Sequence, residues 1–106
     1  IIKIFEIKAT KQPIGIYKLE NKPFENHTFN IKDLHSIYLT TDGYPDQFGG
    51  KNNRKFGYKK LRELFLKNTD INIYKQKEKL DVTLNDWINV SDEKQIDDIC
   101  VMGIKF

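Results

Sequence analysis

One cysteine stands in this chain of 106 residues, Cys100, so no disulfide can close within it. That fits a reducing compartment. The two histidines, His27 and His35, are spaced too widely from each other and from the cysteine to outline a zinc site. No apolar run approaches the length that crosses a bilayer. Nothing at the start combines basic residues, an apolar stretch and a small-residue cleavage site. No glycine-rich phosphate loop of the Walker or dinucleotide kind occurs, nor any internal repeat or low-complexity segment. Few aromatic residues interleave with the basic ones and no nucleic-acid motif is present, so no nucleic-acid partner is expected. An initiator methionine is also missing. The chain opens on Ile1-Ile2, already inside an apolar pattern, which reads as a piece of a longer protein.

What is present is the composition of one small globular unit, 39 % apolar and 31 % charged. Ile1 to Thr10 alternates as a strand that slips at Phe5-Glu6-Ile7, as a bulge would. Gln12 to Gly15 is turn chemistry, Ile14 to Leu19 reads as a second strand, and Asn21-Lys22-Pro23 breaks it. Phe24 to Ile31 alternates again as a third, and Ile37 to Thr40 is short and apolar, as a strand buried on both faces should be. Lys51 to Lys55 is a polar, basic loop. Tyr58, Leu61, Leu64 and Phe65 recur at helical spacing, predicting a helix over Gly57 to Lys67. A second helical stripe runs from Ile73 through Leu80, Leu84, Trp87 and Ile88 to about Asn89, after candidate N-caps in Asn68 to Asn72. A last strand spans Ile99 to Phe106, with Cys100 and Trp87 expected in the core. Strands, two helices, then a strand predict an α+β fold with mostly antiparallel sheet.

Two acidic pairs carry the chemistry. Asp42-Gly43, inside SIYLTTDGYPDQFGG, is either a hairpin turn or a carboxylate at the mouth of a strand, where Gly43 lets a metal or substrate near the backbone. Asp97-Asp98 is either a solvated turn before the last strand or the answer to Asp42. Two carboxylates brought close repel, and stay ionised only with a cation between them. Hard ions such as magnesium or manganese suit such oxygen ligands. Between these pairs lies a basic stretch. Lys51 to Lys67 holds seven basic residues and one acid, a net +6, so the rest of the chain sums to −3 against +3 overall. This is either a solvated helix face or a surface, led by Lys51, Arg54, Lys55 and Lys59, that steers an anionic or phosphorylated partner.

SIYLTTDGYPDQFGG, RKFGYKKLRELFL and KQIDDICVMGIKF, in that order, resemble the C-terminal half of stage II sporulation protein E-type phosphatases. These form the bacterial branch of the metal-dependent protein phosphatase 2C superfamily. KQPIG and FENH resemble the strand segments that precede the aspartate motif there. The resemblance covers nearly the whole chain and implies a part of a β-sandwich flanked by helices. It implies a parent enzyme that hydrolyses phosphoserine or phosphothreonine, using two manganese or magnesium ions to activate a water. It makes Asp42 and Asp97 metal ligands. Gly43 then shapes the turn, Asp98 supports its neighbour without being a ligand, and Asp46 is an outer acid at most. None of these residues is expected to form a covalent intermediate.

The family's upstream motif, an acidic residue followed by Thr-Gly-His-Gly, is absent, so residues 1–106 are expected to hold the C-terminal portion of the domain and half of its metal site. Alone they are expected to be inactive, to bind metal poorly, and to leave an apolar face or sheet edge open to self-association. The resemblance further implies a cytoplasmic enzyme, tethered or not through an upstream sensor domain, and an anti-sigma-factor antagonist as phosphoprotein substrate. The other reading is a non-catalytic phosphatase-like module that binds a phosphoprotein through its basic face.

Overall fold

A computed structural model describes residues 2–15 and 22–106. Its organising pair is β1 (Ser36–Thr40) with β4 (Val101–Lys105), antiparallel, in the register Ser36↔Lys105 to Thr40↔Val101. The ladder continues past both ends, through Thr41 N–H to the Cys100 carbonyl at 3.0 Å and Phe106 N–H to the His35 carbonyl at 3.1 Å. Between them lie a two-residue hairpin, β2 (Phe48–Gly49) and β3 (Arg54–Lys55), and two helices, α1 (Tyr58–Lys67) and α2 (Ile73–Val90). Among the described residues the architecture is α+β, with two antiparallel sheets and two α-helices.

The helices form where their stripes predict them. In α1 the buried residues are Leu61 and Phe65, one turn apart on a single face. α2 starts at Asn72, whose side chain accepts from the Lys75 N–H at 2.9 Å and satisfies one of the free donors of the first turn. One face of the β1–β4 pair packs on the helices. There Tyr38 stacks on Phe65 with ring centroids 4.2 Å apart, and Gly103 lies against Ile73 and Tyr38. Tyr44, Phe56, Leu61, Phe65 and Leu84 form the core, with Trp87 half-buried edge-on to Phe56.

The other face of that pair carries Ile37, Leu39, Met102 and Ile104, which alternation and register place together. It is open: Leu39 is 57 % exposed and Met102 53 %. Ile104 therefore sits with Met102, not across from it, and Cys100, expected in the core, is exposed.

The first and third strands expected before β1 do not form. Residues 2–10 and 24–30 run without secondary structure and none of them is buried. Of the second expected strand, residues 16–19 lie outside the described residues. Alternation gives a segment two faces, but a strand also needs a ladder for its N–H and C=O groups, and residues 2–10 and 24–30 join neither the β1–β4 nor the β2–β3 pair. Side chains hold the segment instead. Arg62 Nη1 donates to the Glu6 carboxylate at 2.9 Å, and the Glu25 N–H donates to Thr10 Oγ1 at 3.3 Å. Beneath it, between Ile7 and Leu61, a gap of ≈ 730 Å³ opens. The radius of gyration, 16.0 Å, exceeds the roughly 13 Å of a compact chain this long.

Candidate functional site

β1 delivers Thr41-Asp42-Gly43 to its end, and the chain does not fold back there as a hairpin. The partner of β1 is β4, not the next segment. The Asp42 carbonyl accepts from the Asp46 N–H at 2.9 Å and the Tyr44 carbonyl from the Gln47 N–H at 3.2 Å, winding residues 42–47 into a tight coil. Tyr44 and Pro45 inside it are among the most deeply buried side chains, so the coil is anchored from below. The Tyr44 hydroxyl donates to the Leu80 carbonyl of α2 at 2.7 Å. Burial, helped by the charge of Asp81, pushes that phenol well above its ordinary range.

The coil rests directly on the Asp97-Asp98 segment. Cys100 N–H donates to Thr41 Oγ1 at 3.0 Å while Thr41 N–H donates back to the Cys100 carbonyl. A Cβ added at Gly43 would overlap the backbone carbonyl of Asp98. The two acidic motifs are thus packed backbone to backbone, and Gly43 is what permits it. The Asp98 backbone N–H donates to Asp97 Oδ1 at 2.8 Å. Asp42, Asp97 and Asp98 are all exposed. A pocket of ≈ 220 Å³ opens at the junction, lined in part by Gly43, Asp46, Lys55, Ile96 and Asp97; Asp42 is not in its lining.

Two residues, Gln47 and Tyr58, enter the site without having been foreseen as parts of it, and Lys55, expected on the partner surface, lies beside the pocket. Gln47, 2 % exposed, donates from Nε2 to the Lys94 carbonyl at 2.9 Å, and its own carbonyl accepts from Trp87 Nε1 at 3.0 Å. It ties the coil to the end of α2 and to the connection that leads into Asp97. A buried glutamine looks like any other in sequence, so no signal marked it. Tyr58, read as part of the apolar stripe of α1, lies within the field of the acids. Burial first, then the charges of Asp46, Asp42 and Glu6, raise its hydroxyl above the ordinary range. Lys55 lies 3.5 Å from Asp46, in β3 and beside the pocket.

The basic face is consequently less uniform than its charge count. Arg62 is taken by Glu6, and Lys60 lies 4.0 Å from the centre of the Trp87 ring, a cation–π contact. Lys51, Arg54 and Lys59 are exposed. Among the described residues no three His, Cys, Asp or Glu side chains gather closely enough to hold a metal ion. A magnesium or manganese ion completes its shell with about six oxygens, so the carboxylates present do not make a site by themselves. No described helix is long and apolar enough to cross a membrane.

A family model described as Stage II sporulation protein E (SpoIIE) matches residues 2–106. Among solved structures, the SiaA-PP2C domain of Pseudomonas aeruginosa is similar at a TM-score of 0.62 and 28% sequence identity. That match covers 67% of this chain and 28% of the other, so the chain spans well under half of that structure. No curated protein matches the sequence.

Proposed function

The chain belongs to the stage II sporulation protein E family, and on that premise we propose that it is the C-terminal part of a protein phosphatase 2C-type serine/threonine phosphatase domain. One observation supports the reading: the backbone of Gly43 abuts the carbonyl of Asp98, so the Asp42-Gly43 and Asp97-Asp98 motifs are neighbours in the fold. Asp42 and Asp97 then supply two carboxylates toward a divalent manganese or magnesium site, whose other ligands are not among the described residues. Gly43 and Asp98 hold those two carboxylates in place. The substrate is a phosphoprotein, with an anti-sigma-factor antagonist as the class the family favours, and a sensor domain upstream in the parent governs activity. The basic residues Lys51, Arg54 and Lys59 face that partner.

The test is hydrolysis of a phosphoserine peptide by the full-length protein in manganese. Asp42→Asn and Asp97→Asn should each lower turnover by about 100-fold or more, since even outer partners of a metal ligand cost 10–100-fold. Full activity in either variant sinks the ligand assignment. A second reading is a phosphatase-like module that binds phosphoprotein through the exposed Lys51, Arg54 and Lys59 without cleaving it. Binding of the peptide without hydrolysis by the full-length protein would select that one.

A further inference from the structure

We propose that Lys55 binds the phosphate oxygens of the substrate through its ammonium, a role that sets it apart from the other basic residues of its stretch. The inference rests on the phosphatase reading of the same pocket. A phosphoserine side chain brings nearly two negative charges to a site whose own side chains are carboxylates. Even with a divalent ion present, its outer oxygens need a positive donor on the protein. Among the residues that line the pocket, Lys55 is the one cation, and it shares that lining with Asp46 and Asp97.

The local structure holds the backbone of Lys55 firmly and its ammonium loosely. β3 pairs Lys55 with Phe48, the next residue Phe56 is buried in the core, and the Phe56 N–H donates to the Gln47 carbonyl at 2.9 Å. The hairpin is pinned to α2 by the Gly50 N–H on the Trp87 carbonyl at 2.7 Å. The side chain, by contrast, is 57 % exposed and its partner Asp46 42 %, at a separation of 3.5 Å. An ion pair so open is weak. Asp46 therefore parks the ammonium at the pocket without trapping it, and a phosphate arriving there can take it over. A flexible stem with a compact charge suits such an exchange of partners.

Inorganic phosphate, and separately a phosphoserine peptide, would be titrated into the full-length protein in manganese, for wild type, Lys55→Gln, Lys55→Arg and Asp46→Asn. Loss of one charge-assisted contact should weaken phosphate binding about tenfold in Lys55→Gln, and Lys55→Arg should keep it within about threefold by retaining the charge. Asp46→Asn frees the ammonium and should leave binding equal or tighter. A merely structural ion pair predicts the opposite pattern, with Asp46→Asn and Lys55→Gln alike in melting temperature and alike in binding. That result, unchanged binding in Lys55→Gln, or a wild type that binds no phosphate would overturn the proposal. Phosphate held through Lys55 by a protein that hydrolyses nothing would support it while removing the phosphatase reading.

Discussion

Gly43 and Asp98 touch through their backbones, with no room for a side chain between them. The contact joins the end of β1 to the residues just before β4 and sets the spacing of the two acidic motifs. Gly43→Ala should force that interface apart. Overpacking of this kind costs about 1–3 kcal/mol, here against backbone that cannot swing away. Thermal melting should register the loss, and turnover by the full-length protein should fall with it. An alanine variant as stable and active as wild type would mean the coil slides freely on Asp98.

Tyr44 predicts an alkaline signature. Its folded pKa is raised above the unfolded phenol value near 10. Stability from keeping it neutral is therefore complete below about pH 10 and is lost as pH climbs from there toward the raised folded value. Tyr44→Phe should remove part of that alkaline slope. At neutral pH it should cost about 1 kcal/mol for the hydrogen bond to the Leu80 carbonyl. Denaturant titrations of both proteins at pH 7 and above pH 10 would check both halves.

The open face of the β1–β4 pair predicts association. Leu39 and Met102 sit opposite each other and more than half exposed, in a contiguous apolar strip of the kind soluble monomers usually cover. The 106-residue chain should show a concentration-dependent mass by light scattering and bind a hydrophobic dye. Leu39→Lys combined with Met102→Lys should abolish both. A monomer at all concentrations that ignores the dye would show the strip to be harmless.

Legibility in the sequence followed the range of the forces involved. Leu61 and Phe65 announced α1, and Asn72 with the Leu84 and Trp87 stripe announced α2, because helical hydrogen bonds and caps are made within a few residues. The α+β class and the family resemblance were readable for the same reason, being carried by short stretches in order. The small β2–β3 hairpin was read as loop. Its strands are two residues each, too short to show a period, and its glycines Gly49 and Gly50 serve contact with Trp87, which no local pattern reports. The expected strands before β1 erred the other way, since Ile2, Ile4 and Phe29 alternate convincingly yet find no ladder among the described residues.

Taken alone, the sequence determined which segments become helices, that strands lie in Ile37–Thr40 and Ile99–Phe106, and which carboxylates stand at their ends. Those are properties of periodicity and residue type, expressed within one segment. Only the tertiary structure decided that β1 pairs with β4, that Asp42-Gly43 coils onto Asp98 instead of turning back as a hairpin, and that Lys55 belongs to the pocket with Asp46 and Asp97. Thr41 and Asp98 lie 57 residues apart. Contacts at that distance depend on how two helices and a core formed by Tyr44, Phe56 and Leu61 bring the strand ends together. A strand end cannot encode by itself which carbonyl will meet it.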